Sequence, residues 1–182
     1  GNNKSLGELT FAIENGVGDI VVDNSSELHK VEKIAGEHNV VVEVSLRIKP
    51  GIDAHTHEFI RTGQIDSKFG LDLESGEAME ALRQAKEMSH LVVKGLHCHI
   101  GSQILEKTPF VHAAEVMLHF FDQVRKELGI VFTFLNLGGG FGIHYTEQDH
   151  AVPYEEYMEA VSAAVHKTCE ELQMDLPYIY IE

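Results

Sequence analysis

The sequence predicts an α/β protein with a parallel β-sheet. Short apolar segments of strand length alternate along the whole chain with longer segments in which apolar residues recur at helical spacing. A strand that is followed by a helix and then by a parallel strand requires a right-handed crossover. Both a doubly wound sheet and a (β/α)8 barrel satisfy this pattern, and in either fold a ligand binds beyond the carboxyl ends of the strands.

The first predicted elements are defined by helix caps and a short apolar run. Ser5, with Glu8 three residues later, forms a capping-box pattern that predicts a helix over 5–16. Residues 19–23 follow as a short buried strand, and Asn24, with Glu27 three residues later, predicts a helix over 24–36. These segments therefore form the first strand and the helices on either side of it.

The middle of the chain begins with a longer predicted strand over 40–48. Apolar residues alternate there with polar ones, so one face of this strand is polar, and Arg47 lies on that face. A loop over 49–69 interrupts the alternation of strands and helices, and a helix over 76–89 restores it.

The last predicted elements are three strands that alternate with two helices. A strand over 92–99 is followed by Thr108-Pro109, where proline suits the first turn of a helix. A strand over 132–137, a helix after Pro153 and a strand over 178–181 complete the pattern. The regular alternation predicts one parallel sheet over the whole chain.

Composition excludes several classes of protein. The chain has 182 residues, 43% of them hydrophobic, which suffices for the core of one domain. Its net charge of −15 argues against binding to nucleic acid, and it has no apolar run long enough to span a bilayer. Cys98 and Cys169 are far apart and form no disulfide framework, which favours a reducing cytoplasm.

Glycines and polar residues lie where three predicted strands end. Gly138-Gly139-Gly140 follows one strand, Gly101-Ser102 follows another, and the last strand ends at Glu182. Glycine has no Cβ, so its backbone N–H groups can surround an anion. The sequence therefore predicts a phosphate site at this edge of the sheet.

Two histidines share one face of the strand over 92–99. Side chains alternate along a strand, so His97 and His99 point the same way while Cys98 points the opposite way. His99 is nearer the end of the strand and is the candidate ligand contact, with His97 about 6.6 Å below it. A hydrogen-bonded histidine of the protein core is the alternative interpretation for each.

Five segments together resemble one family of enzymes. They are 1–5, 50–57, 67–70, 97–103 and 135–142. In this order they closely resemble the diaminopimelate decarboxylase family, whose members use pyridoxal 5′-phosphate (PLP) and share a fold with alanine racemase. The resemblance implies a partial (β/α)8 TIM-type barrel over 1–182, with about six of the eight βα units. It also implies decarboxylation of meso-diaminopimelate to L-lysine. The cytoplasmic location and the lack of a nucleic-acid or membrane partner are expectations from the composition.

The resemblance implies a role for each candidate site residue. In such enzymes Ser102 and the glycines Gly138, Gly139 and Gly140 would hold the cofactor phosphate, and His99 would stack on the pyridine ring. Glu182 stands where the family has a glutamate that pairs with the pyridine nitrogen, which makes His99 and Glu182 the implied catalytic residues. A carboxylate there keeps the ring protonated, so that it accepts electrons. Arg47 resembles a family arginine that faces the site, with a structural ion pair as the alternative.

The resemblance also implies that essential parts of the family lie outside 1–182. The lysine that binds the cofactor covalently lies on an earlier strand, and a β-rich second domain carries a general-acid cysteine. Lys4 lies in the wrong motif to replace that lysine, and neither Cys98 nor Cys169 is that cysteine. We therefore expect a barrel truncated at both ends, inactive alone, from a homodimeric parent enzyme with no metal.

Other functions remain open from the sequence. His55 and His57 resemble the metal-binding pair of amidohydrolases, in which histidines at a strand end ligate zinc. Here, however, the strand ends before Pro50, so the pair lacks the structural context of that motif. A PLP decarboxylase or racemase for another amino acid, or a phosphate-binding barrel without activity, are the further alternatives.

Overall fold

A single parallel sheet flanked by helices organises the chain. The computed structural model describes residues 2–52, 68–147 and 150–182. The strands are β1 (Ile20–Val22), β2 (Val42–Lys49), β3 (Leu71–Asp72), β4 (Leu91–Cys98), β5 (Phe134–Asn136) and β6 (Tyr178–Tyr180). The helices are α1 (Leu6–Glu14), α2 (Ser25–Glu37), α3 (Glu77–Glu87), α4 (Thr108–Leu128) and α5 (Tyr154–Leu172).

The order of the strands decides between the two predicted architectures. Hydrogen-bonded neighbours follow the order β1-β2-β4-β5-β6, with the two-residue β3 paired to β2, and every pairing is parallel. A doubly wound sheet reverses its strand order at a switch point. The described sheet does not reverse, as expected for part of a (β/α)8 barrel, so the predicted parallel α/β fold is confirmed.

The helix caps form as the sequence predicts. Ser5 Oγ accepts a hydrogen bond from the Glu8 N–H, and the Glu8 carboxylate accepts one from the Ser5 N–H at 2.8 Å. Asn24 Oδ1 accepts from the Glu27 N–H at 2.9 Å. Each cap satisfies backbone donors that have no partner inside the helix, which fixes where α1 and α2 begin.

The strand β2 begins later than predicted, at Val42 rather than at residue 40. Asn39 has a positive φ of 53°, and the Val40 N–H donates to the Ala35 carbonyl at 3.0 Å. The chain is therefore still turning out of α2 at residues 38–40, and this local turn outweighs the strand preference of the valines.

The two faces of the sheet have opposite character. On one face Leu46, Leu96 and Leu135 lie side by side on neighbouring strands, and each is 0% exposed. On the other face the polar side of β2 is also covered: Ser45 is buried and its hydroxyl donates to Asp19 Oδ2 at 2.8 Å. Burial raises the pKa of Asp19. The second face therefore forms a partly buried polar layer.

No described helix is both long enough and apolar enough to cross a bilayer.

Candidate functional site at the carboxyl end of the sheet

Strand register aligns the candidate residues in two successive rows on the polar face. Arg47 pairs with His97, His97 with Asn136, and Asn136 with Tyr180. Alternation places His99, Gly138 and Glu182 two residues further along three of these strands. The glycine loops after β4 and β5 continue from this upper row.

Backbone hydrogen bonds join the two loops. The Ile104 N–H donates to the Gly140 carbonyl at 3.0 Å, and the Gly142 N–H donates to the Ile104 carbonyl at 2.8 Å. Between these bonds the Phe141 ring stacks on Phe110, with centroids 4.3 Å apart. The predicted phosphate-binding segments therefore form one rigid unit over an aromatic cluster.

Only glycine fits at three positions of the loop after β5. A Cβ at Gly138 would lie 2.6 Å from the Cys98 carbonyl oxygen, and one at Gly139 would lie 2.5 Å from the Glu182 carbonyl oxygen. At Gly140, which has φ +100°, a Cβ would overlap the Gly101 carbonyl oxygen. The glycines thus allow three chain segments to approach one another at this point.

The loop amides differ in what they can bind. The Gly138 N–H donates to Asn136 Oδ1 at 2.8 Å, so this amide is already engaged. The N–H groups of Gly139 and Gly140 take part in no hydrogen bond with any described residue. The neighbouring Ser102 is exposed and lies against Gly140, where its Cα would be 3.3 Å from an added Cβ. Two free amides beside a hydroxyl fit a phosphate group.

The Glu182 carboxylate is held by two donors from neighbouring strands. His97 Nε2 lies 3.2 Å from Glu182 Oε1, and Asn136 Nδ2 donates to the same oxygen at 3.0 Å. The backbone of Glu182 is fixed as well, since its N–H donates to the Gly138 carbonyl at 2.9 Å. This arrangement gives the carboxylate a defined place beside the glycine loop.

Burial controls the protonation of His97. The residue is 5% exposed, and burial, together with the positive charge of Arg47 and the nearby His99, lowers its pKa to about 4, against the opposing effect of Glu182. His97 is therefore neutral at neutral pH. Its Nδ1 atom is buried and has no hydrogen-bond partner among the described residues.

The structure brings most of the predicted site residues together. His99 is half-buried, and its Nδ1 lies 3.0 Å from where a Cβ of Gly138 would be. Arg47 is close enough to lower the pKa of His97. It also pairs with Asp23, at 3.5 Å between Nη1 and Oδ1, and its guanidinium lies 5.3 Å from the centroid of the Phe69 ring. The two interpretations of Arg47, ion pair and site residue, are thus compatible.

The sequence assigned no role to Asn136 and ranked His97 below His99 as a ligand contact. Their contact with Glu182 depends on the register between β4, β5 and the segment after β6, which no local pattern specifies. A usable signal was present all the same. Both residues lie two positions before a predicted site residue on the same strand, and so share its face.

Lys4, Cys98 and Cys169, which the sequence excluded as the cofactor lysine and the general-acid cysteine, are an ion-paired side chain and two buried thiols. Lys4 pairs with Glu27 at 3.0 Å and donates to the Val21 carbonyl. Cys98 is fully buried on the apolar face of β4, and Cys169 is 1% exposed in α5. Burial raises the pKa of both thiols, and that of Cys98 reaches about 12.

We expect both thiols to be unreactive in the folded protein. Alkylation requires the thiolate and access to it, and burial removes both. Iodoacetamide at pH 8, followed by peptide mass spectrometry, should leave Cys98 and Cys169 unmodified in the native protein and label both after denaturation. Labelling of Cys98 in the native state at the rate of the denatured control would contradict the buried position of β4.

Some candidate residues lie outside the described part of the chain. His55 and His57 of the alternative zinc site are among them, as is Ser67 of the segment over 67–70. Within 2–52, 68–147 and 150–182, no group of three or more His, Cys, Asp or Glu side chains is arranged to hold a metal ion.

Comparison with known proteins gives one consistent family. Residues 1–182 match the family described as "Pyridoxal-dependent decarboxylase, pyridoxal binding domain". Curated proteins from Bacillus methanolicus and Bacillus subtilis, both named diaminopimelate decarboxylase, are each 46% identical over all of this chain. The chain spans 42% of the length of each of them.

Solved structures show the same likeness. A diaminopimelate decarboxylase from M. jannaschii, in complex with L-lysine, has a TM-score of 0.90 and 35% identity, and the match covers 100% of this chain and 41% of that one. The Helicobacter pylori enzyme with L-lysine has a TM-score of 0.82 and 32% identity, covering 99% and 43%. The partial barrel therefore has the same fold as the matching part of these enzymes.

Proposed function

This chain belongs to the pyridoxal-dependent decarboxylases, through their pyridoxal-binding domain, and from that premise we propose that it serves a PLP-dependent decarboxylation of meso-diaminopimelate to L-lysine. The relatives that are named diaminopimelate decarboxylase match every residue of the chain. The family membership does not favour a zinc hydrolase that uses His55 and His57.

The observation that carries the proposal is the pair of joined loops beside a fixed carboxylate. Ser102 and the free amides of Gly139 and Gly140 would hold the cofactor phosphate, while Gly138 shapes the loop through its bond to Asn136. His99, which lies against Gly138, would cover one face of the pyridine ring of the cofactor. These groups fit PLP because an anion site, an aromatic neighbour and a carboxylate lie at one edge of the sheet.

Glu182 would act on the ring nitrogen. When bound, PLP supplies a protonated pyridine that accepts the electrons left by departing carbon dioxide. The carboxylate of Glu182 would keep the proton at that nitrogen, since a negative charge close to a protonated nitrogen favours the charged form. His97 and Asn136 both contact the Oε1 atom of Glu182, which leaves its Oε2 atom for the ring nitrogen.

Arg47 is the remaining residue of the proposed cofactor site. Its guanidinium is held by Asp23 and by the Phe69 ring, on the same row as His97. A fixed positive charge beside His97 would attract the anionic cofactor and oppose protonation of His97.

The proposed partners and location follow from the same premise. The substrate would be a small amino acid, in keeping with the lysine bound in two structures of similar enzymes. We further propose a cytoplasmic homodimer without a metal, and a binding lysine and a general-acid cysteine supplied from outside 1–182.

The proposal is tested with the intact natural protein that contains this chain. We expect PLP to give the visible absorbance of lysine-bound cofactor, and the loaded protein to release carbon dioxide and L-lysine from meso-diaminopimelate. Ornithine, arginine and lysine serve as control substrates. Preference for one of these would favour a related decarboxylase, and PLP binding without any release of carbon dioxide would overturn the decarboxylase assignment.

A further inference from the structure

We propose that His97 is a positioning residue, which acts together with Asn136 to fix the orientation of the Glu182 carboxylate. The statement about the carboxylate stands on the geometry of this chain. Only the consequence for catalysis rests on the function proposed above.

The first support is the convergence of two donors on one atom. His97 Nε2 and Asn136 Nδ2 lie 3.2 and 3.0 Å from the same oxygen, Oε1 of Glu182. The two side chains come from adjacent strands at paired positions, so their spacing is fixed by the sheet. A carboxylate that binds two donors through one oxygen has little freedom to rotate, and its second oxygen keeps a constant direction.

The second support is the protonation state of the imidazole. A nitrogen within hydrogen-bonding distance of a carboxylate oxygen must carry the proton, so Nε2 is the protonated atom and Nδ1 is not. The charged groups around the ring are Glu182 after β6, Arg47 on β2 and His99 at the end of β4. Burial, Arg47 and His99 together lower the pKa of His97 more than Glu182 raises it. The imidazole ring is therefore neutral above about pH 4.

Neutral donors suit the role proposed for Glu182. A cationic histidine would cancel the negative charge of the carboxylate, whereas a neutral imidazole and a carboxamide orient it and leave the charge in place. The full charge of Glu182 therefore remains for a protonated ring nitrogen. A histidine that only filled space in the barrel would need neither a fixed tautomer nor a carboxylate partner.

The first test uses the intact protein free of cofactor. Nitrogen NMR of protein labelled with 15N-histidine, with His97 assigned from the His97→Gln variant, should show protonated Nε2 and unprotonated Nδ1 at pH 7. The pKa of His97 should lie near 4. Glu182→Ala should shift the His97 Nε2 resonance and leave that of the exposed His119 unchanged.

Two outcomes of this test would overturn the proposal. One is a protonated Nδ1 atom, and the other is an ordinary titration near pH 6.5 that Glu182→Ala does not alter. Because no cofactor takes part, either outcome is independent of whether the protein is a decarboxylase.

The second test compares two His97 variants in the PLP-loaded protein. His97→Leu keeps the bulk and removes the donor, while His97→Gln keeps a neutral donor. We expect kcat to fall roughly 10- to 100-fold in His97→Leu, the value of one hydrogen bond to a charged group, with KM and PLP affinity nearly unchanged. His97→Gln should recover most of this loss.

The comparison separates positioning from packing and from the proposed function. Equal loss of kcat in both variants would show that the imidazole serves packing alone and would overturn the positioning role. Circular dichroism checks the fold of each variant, and if His97→Leu does not fold, the NMR result and His97→Gln still decide. A wild-type protein that binds no PLP would refute the proposed function and leave the NMR result standing.

Discussion

Gly140→Ala is expected to separate the two loops and to weaken the binding of PLP. The residue has φ +100°, and a Cβ there would overlap the Gly101 carbonyl oxygen, a backbone atom that cannot move independently. Relieving the overlap must break the pairing of Gly140 with Ile104, which holds the free amides beside Ser102. Overpacking of this kind costs about 1–3 kcal/mol, which corresponds to roughly 5- to 150-fold in affinity.

The matched control for this prediction is Gly76→Ala. Gly76 also has a positive φ, of 83°, but a Cβ there would meet nothing within 4 Å. Both variants therefore carry the left-handed backbone strain of about 1–2 kcal/mol, and only Gly140→Ala adds the overlap. PLP titration followed by absorbance in the intact protein measures the difference. Equal PLP affinity in the two variants would mean that the close approach of the loops is not needed for binding.

Glu182→Gln is expected to lower kcat by about 10²- to 10³-fold while PLP remains bound. The carboxamide keeps the shape of the side chain and removes the charge that would hold a proton on the ring nitrogen. Loss of one preorganised electrostatic contact typically costs this much in kcat. The phosphate loops are unchanged, so PLP affinity should fall far less than kcat.

Glu43→Gln is the control for the loss of charge. Glu43 lies at the opposite end of β2, its side chain is 53% exposed against 55% for Glu182, and it pairs with Lys94 at 3.2 Å. Exposed ion pairs contribute about 0–1 kcal/mol, so this variant should keep its kcat. If Glu182→Gln is as active as Glu43→Gln, then Glu182 has no role at the ring.

Most secondary structure follows from local patterns. Ser5 and Asn24 predict the start of their helices because capping depends on residues within one turn. The start of β2 was less predictable, because the turn at Asn39 competes with the strand preference of the valines that follow. Local signals predict the presence of helices and strands better than their ends. The end of an element depends on whether the neighbouring turn or the element itself is more stable there.

The candidate site is only partly predictable in the same way. Gly140, Ser102 and Glu182 are predicted as site residues because each closely follows a predicted strand, and a parallel sheet brings such strand ends to one edge. The roles of Asn136 and His97 could not be found like this. They depend on which oxygen of Glu182 each donor meets, and that is a matter of register between strands that are distant in sequence.

The sequence by itself determined the alternation of strands and helices, the parallel sheet and the edge of the sheet at which the candidate site residues lie. These follow from hydrophobic periodicity and from the chirality of the chain, which act over a few residues or within one βα unit. Only the tertiary structure decided that the strand order is that of a barrel, that the Gly138 amide has a partner while those of Gly139 and Gly140 have none among the described residues, and that His97 lies against Glu182. The reason is that burial and register exist only when all the strands are assembled, and they control both hydrogen bonding and protonation.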